Sequence, residues 1–153
     1  MISHRLKQFL EDENVPYQVI EWSGSLSLGS DGPQKDYAKI IMVRAGTSNA
    51  MVVMPVSCEI DLEKLRILLD VSEITVQSED QYAALFPDCE AGAMPAIGRL
   101  YSLPCFVDET LLDSSSVCFM AGNHREWVRI SSDEYWRAAQ AEVDDFRLRK
   151  VAV

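Results

Sequence analysis

The sequence predicts a mixed β-sheet with helices packed against it, in a single domain over residues 1–153. Three observations predict it. Two β-branched and apolar runs, YAKIIMVRA and AMVVMPV, are separated only by GTSN, which is hairpin spacing. Two Ser-x-x-Gln/Glu patterns, at Ser78 and Ser131, mark helix starts between and after the strands. Strand candidates follow one another through short connections instead of alternating singly with helices, which disfavours a doubly wound parallel sheet.

Residues 2–13 repeat apolar side chains at helical spacing: Ser3 can cap the helix, Ile2, Leu6, Phe9 and Leu10 share a face, and Asn14 followed by Pro16 stops it. YQVIEW reads as a strand. SGSLSLGSDGPQKD, with three glycines, four serines and a proline, has the composition of a loop. The hairpin that follows reads as largely buried. Asp61 can cap LEKLRILLD, where Leu62, Leu65 and Leu69 make a core stripe. EITVQ is a short strand, and Ser78 with Gln81 forms a capping box for EDQYAALF. PCFVDE, SVCFMAG and EWVRIS are strands. Ser131 with Glu134 then opens a C-terminal helix that places Trp136, Ala139, Val143 and Phe146 on one face.

Composition bounds the function. A chain of 17.2 kDa, 48% hydrophobic and 25% charged, can bury a proper core, and no window approaches the ~18 apolar residues of a membrane span. MISHRLKQFLEDEN lacks the uninterrupted apolar stretch of a secretory signal, so a cytoplasmic protein with no membrane partner is expected. A net charge of −10 argues against strong non-specific binding to nucleic acid, whose phosphates it repels at long range, but allows a local contact with one nucleotide end. Cys58, Cys89, Cys105 and Cys118 form no C-x-x-C pair, and only His4 and His124 could join them, so neither metal nor other cofactor is expected. Beside apolar neighbours three of them, Cys58, Cys105 and Cys118, read as small buried residues in a reducing compartment.

Three features stand apart from the packing pattern. Lys39 lies between Ala38 and IIMV inside a strand of buried type; its amine either snorkels to the surface or emerges into a cleft, where it would be a donor to a phosphate or a developing oxyanion. CEAGAMPAIG, residues 89–98, is poor in charge where ordinary surface loops are rich in Ser, Asn, Asp and Lys. Its glycines either supply unusual dihedrals to a tight connection or let the main chain of Gly92, Ala93, Met94, Pro95 and Gly98 approach a small ligand. AGNHREW sets Gly122, Asn123 and His124 at a sharp turn, as an ordinary hairpin turn or as two polar groups facing a ligand.

In their order, "VPYQVIE", "AKIIMV", "MPVSCEIDLEKLRILL", "SEDQYAALFPDCEAGAMPAIG", "PCFVDETLL" and "VCFMAGNHREWVRIS" resemble the YbaK and prolyl-tRNA-synthetase-associated family, from about Phe9 to about Tyr135. The resemblance implies a curved mixed sheet or partial barrel flanked by helices. It also implies a trans-editing activity, metal-independent hydrolysis of the ester that joins a wrong amino acid to the terminal adenosine of a tRNA, with the substrate's ribose hydroxyl helping to activate water. On this resemblance Lys39 matches the family's strand lysine and would anchor the nucleotide end or stabilise charge. Gly92, Ala93, Met94, Pro95, Gly98, Gly122, Asn123 and His124 would contact the aminoacyl group, Met94 and Ile97 narrowing the pocket toward small side chains such as alanine. Aminoacyl-tRNA is the implied partner, and a synthetase a further one. Where family members carry a helical segment before the lysine strand, this chain has WSGSLSLGSDGPQKDY. The alternative reading is a non-catalytic small-ligand or protein-binding module of the same fold.

Overall fold

A computed structural model of the protein describes residues 1–21 and 36–148; the glycine- and serine-rich segment read as a loop lies, but for Asp36, outside the described residues. Helix α1 spans His4–Asp12, with the Ser3 hydroxyl accepting from the Leu6 amide at 3.3 Å and Leu6 and Leu10 fully buried. It ends where Asn14 turns left-handed at φ 54°. Strand β1 (Gln18–Glu21) follows. Strands β2 (Ala38–Ala45) and β3 (Ser48–Pro55) pair along their whole length, from Ala38 opposite Pro55 to Ala45 opposite Ser48. The hairpin turn is therefore only Gly46 and Thr47, shorter than GTSN, because Ser48 and Asn49 join the ladder.

Helix α2 (Leu62–Leu69) is capped by Asp61, whose carboxylate accepts from the Glu63 and Lys64 amides at 3.1 Å each. Strand β4 (Ile74–Val76) leads to α3 (Glu79–Tyr82), which starts on the expected Ser78–Gln81 capping box. After the glycine–proline loop come β5 (Cys105–Asp108), β6 (Ser116–Met120), β7 (Glu126–Ser131), α4 (Ser132–Ala139) and β8 (Glu142–Asp144).

The described strands form two sheets and no closed barrel: a three-stranded sheet in the order β1-β7-β6 and a five-stranded one in the order β4-β2-β3-β5-β8. β5 runs parallel to both β3 and β8 and every other pairing between strands is antiparallel, so the architecture is mixed. Among the described residues, a parallel bridge between Tyr37 and Cys118 links the two sheets. β2 thus begins beside β6, parts from it, and is joined at Val43–Ala45 by β4.

Alternation along the hairpin sorts the core into two layers. Ala38, Met42, Met51 and Val53 face the main core with Phe119, Val128 and Ile130 of the other sheet, Leu6 and Leu10 of α1, and Tyr135 of α4. Val43, Val52 and Met54 face the opposite side, against Leu65 of α2, Phe106 and Phe146.

The C-terminal helix is shorter than its sequence suggests. It stops at Ala139 because Gln140 adopts φ 46°, and the residues that follow form β8 parallel to β5. Its buried face is Tyr135, Ala138 and Ala139, an i, i+3, i+4 set, which leaves Trp136 47% exposed. Phe146 reaches the second core layer from beyond the strand. Ser131 accepts from the Glu134 amide as expected, but the Glu134 carboxylate is engaged by Arg137.

Candidate functional site

The glycine–proline loop is fastened to the β6–β7 turn by its main chain. The Glu90 amide donates to the Gly122 carbonyl at 2.8 Å, and the Gly122 amide donates to the Ala93 carbonyl at 2.9 Å, while Ala93 closes back on Glu90 at 3.0 Å. Residues 90–93 and 122 therefore move as one unit. Tyr135 fixes the next stretch: its hydroxyl donates to the Ala96 carbonyl at 2.6 Å, and burial raises its pKa well above the usual range, so it remains a donor.

Two glycines of this unit hold backbone that other residues adopt at a cost. Gly92 sits at φ 80°, where an added Cβ would stand 3.1 Å from Glu79 Oε1 and 3.6 Å from His124 Cε1. Gly122 sits at φ 103°, and its added Cβ would come within 2.9 Å of Ser3 Cβ on the α1 cap. The space beside Gly98 is taken by Cys105 Cβ and the Leu103 carbonyl. Gly98 and Gly122 thus serve close packing of the protein on itself, and of the three Gly92 alone borders a carboxylate and an imidazole.

The apolar residues of the loop turn inward. Ala93, Met94, Ala96 and Ile97 are at most 3% exposed, and Met94, Ala96 and Ile97 belong to the main core, so the Met94 and Ile97 side chains pack among core residues. Pro95 and Gly98 are buried with them. What the loop presents outward around Gly92 is main chain plus Glu79, Glu90 and His124.

The turn is held by Asn123. Its Oδ1 accepts from the Arg125 and Glu126 amides at 2.9 Å each, and its Nδ2 donates to Glu126 and to the Met1 carbonyl. Both ends of the amide serve the turn itself. His124 is exposed; its amide donates to the Glu90 carboxylate at 2.9 Å, and its Nε2 lies 2.7 Å from the Ala91 carbonyl. A carbonyl only accepts, so Nε2 carries the proton and Nδ1 is left as the outward atom.

Lys39 is half-buried on β2, opposite Met54. Because Ala38 and Met42 face the main core, alternation sends Lys39 to the other side, away from the buried side of Met94, Ala96 and Ile97. Among the described residues no hydrogen bond or ion pair to its ammonium is found. The same alternation puts Tyr37 on its side, and Tyr37 packs against Trp127 of β7 with ring centroids 5.3 Å apart. Trp127 follows the Asn123–Glu126 turn directly. Lys39 thus shares its side of the sheet with Tyr37, which packs on Trp127. The structure joins Gly92, Ala93, Gly122 and His124 directly, and among the described residues no hydrogen bond or ion pair joins Lys39 to them.

Sequence reasoning passed over Tyr37, Trp127 and Tyr135. Tyr37 was signalled by its position two residues before Lys39; the other two depend on contacts across 39 to 90 positions that no local pattern announces. Three thiols are held protonated: burial pushes Cys105 and Cys118 up to about 11, and Cys89 up to about 11 beside Tyr101. Among the described residues no three His, Cys, Asp or Glu side chains are grouped to hold a metal ion, and no helix is long and apolar enough to cross a membrane.

The family model described as "Aminoacyl-tRNA editing domain" matches residues 29–138, which include Lys39, the whole glycine–proline loop and the Gly122–His124 turn. Among solved structures, one described as a candidate trans-editing enzyme for prolyl tRNA synthetase is similar at a TM-score of 0.79 and 19% identity, covering 96% of this chain and 97% of that one. A protein from work on epitope backbone grafting by computational design is similar at 0.81 and 21%, covering 97% of both chains. A candidate signal transduction protein from Marinobacter aquaeolei VT8 is similar at 0.74 and 16%, covering 95% of this chain but 30% of its own. At these identities the likeness is one of fold. No curated protein matches the chain.

Proposed function

Because the chain belongs to the aminoacyl-tRNA editing domain family, we propose that it is a deacylase that hydrolyses the ester between a wrong amino acid and the terminal adenosine of a tRNA. The observation that carries this reading is the family match, which covers the fastened loop, the turn and Lys39 together. An aminoacyl ester is already activated, so a positioned water and a stabilised oxyanion suffice for hydrolysis. Lys39 is the cation of the site: its ammonium, without a protein partner among the described residues, binds the nucleotide phosphate or the developing oxyanion. Main-chain groups around Gly92 orient the ester, and fastening to Gly122 keeps them in place as charge shifts. Tyr37 and Trp127, beside Lys39, flank the terminal nucleoside.

A panel of mischarged tRNAs, followed for loss of the attached amino acid, tests the proposal. A small subset is hydrolysed faster than its spontaneous rate, and Lys39→Ala slows that hydrolysis on the order of 100-fold, the cost of one lost electrostatic donor. A panel hydrolysed nowhere above background refutes the deacylase; full activity in Lys39→Ala removes the lysine from it.

A further inference from the structure

A net charge of −10 sets the chain as a whole against RNA, so the cations that receive a phosphate are those no carboxylate neutralises. Among the described residues Lys64, Arg66, Arg99, Arg129, Arg137 and Arg147 are each tied to a carboxylate. Arg5, Lys7 and Arg125 are exposed and in no ion pair there, and they stand on two elements bonded to each other. The Ser3 amide at the head of α1 donates to the Ala121 carbonyl at 2.8 Å, and Asn123 Nδ2 donates to the Met1 carbonyl at 3.0 Å, so the helix start lies on the β6–β7 turn that carries Arg125. Lys7 stands one helical turn beyond Ser3, its amide donating to the Ser3 carbonyl at 3.0 Å. Arg5 lies over the Tyr101 ring, 4.9 Å from its centroid, and the Tyr101 hydroxyl donates to Asp88 where the glycine–proline loop begins. Helical side chains lean toward the N-terminus, which sends Arg5 and Lys7 back toward the turn and the loop.

The charge order along α1 works against the helix. There is no acidic residue in its first turn and no basic one in its last: Arg5 and Lys7 stand toward the end where the helix dipole is positive, Glu11 and Asp12 toward the negative end. Charges set against the dipole weaken a helix, which marks them as placed for a contact outside the fold. The carboxylates nearby have donors of their own: Asp88 accepts from the Ser3 and Tyr101 hydroxyls, Glu90 from the His124 amide, and Glu126 from Asn123. We propose that Arg5, Lys7 and Arg125 bind backbone phosphates of the acceptor stem of a tRNA and so bring its terminal adenosine to the loop around Gly92. The identity of the RNA rests on the deacylase reading; the surface that receives its stem is what the structure adds. Contacts to phosphate position a nucleic acid without reading its sequence, so this surface fixes where the stem lies and leaves the choice of substrate to the attached amino acid. Arg44, exposed and also in no ion pair among the described residues, lies opposite Asn49 and Thr75 at the far end of β2 and provides a control.

Anisotropy titration of the full chain against a fluorescent acceptor-stem minihelix that carries no amino acid tests it, repeated across roughly 50–200 mM salt. The unaltered protein binds, and the variant Arg5→Gln/Lys7→Gln/Arg125→Gln binds about tenfold more weakly at the low-salt end, with a salt slope lower by about one for each cation removed. Arg44→Gln binds as the unaltered protein does. Should loss of the Arg5 stacking unfold the triple variant, Lys7→Gln/Arg125→Gln, which breaks no side-chain hydrogen bond or ion pair among the described residues, lowers the slope by about two. Equal affinity and slope in the folded variants overturn the proposal. So does an unaltered protein that leaves the minihelix unbound, or one that prefers vesicles of anionic phospholipid to it. Because no ester is present, binding of this kind by a protein that hydrolyses no mischarged tRNA counts against the deacylase reading alone.

Discussion

Replacing Tyr135 by Phe removes one oxygen and leaves the ring where it is. The ring stays packed on Phe119, with centroids 6.0 Å apart, so the variant isolates the hydroxyl's bond to the Ala96 carbonyl. Both residues are fully buried, and water cannot replace the lost donor. A buried carbonyl left unsatisfied costs about 1–3 kcal/mol. Taking about 2 kcal/mol, and roughly 2–4 °C per kcal/mol for a chain of this size, the melting temperature should fall by roughly 4–8 °C. Urea unfolding should show a lower midpoint with an unchanged slope, since the surface exposed on unfolding is the same. Amides of the 93–98 stretch should exchange faster, because the loop has lost its inner anchor. A stability change below about 0.5 kcal/mol, within the range of ordinary surface substitutions, would refute the claim that this bond fixes the loop.

Gly122→Ala forces a side chain into φ 103° and against Ser3, so it should destabilise by about 1–3 kcal/mol in chemical denaturation and lower deacylation beyond what the unfolded fraction explains. Asp88 gives a pH signature: burial alone would raise its carboxyl, but hydrogen bonds from Ser3 and Tyr101 outweigh that and hold it below the ordinary aspartate value of 3.8. A depressed folded pKa means stability that is present above the unfolded value and lost as the pH falls through the folded one. The unaltered protein should therefore exceed Asp88→Asn in stability at neutral pH, and the gap, read from denaturation at stepped pH, should close only below about pH 3.8.

Local signals carried most of the fold. Ser3, Asp61 and Ser78 each start a helix as their side chains predict, and the hairpin strands follow from β-branched runs. The C-terminus misled because Val143 and Phe146 happen to continue a helical spacing, whereas a three-residue strand has too few positions to show its own period. What ends α4 is a left-handed Gln140 and the open edge of β5, and only the second is decisive and non-local. At the site, Gly92 could be picked out from composition. The inward turn of Met94 and Ile97 could not, since an apolar residue in a loop reads alike whether it lines a pocket or joins the core. The side of the sheet on which Lys39 emerges was likewise fixed by register, not by its neighbours in sequence.

The parting of β2 from β6 leaves a seam beside that lysine. The Met42 carbonyl accepts from the Gln77 amide, so it points away from β3; the Tyr37 carbonyl accepts from the Val56 amide and points toward it. Peptide groups of Ala38 and Ile40 share the outward direction of Met42; the Ala38 amide is taken up by the bridge to Cys118 of β6, and beyond it no described strand pairs with them. Flanking Lys39 on either side, they leave one N–H and two C=O groups at fixed spacing, a short ladder with its second rail missing. Any extended visitor laid along that rail would be gripped by backbone atoms alone, and substitutions of side chains would leave the grip intact.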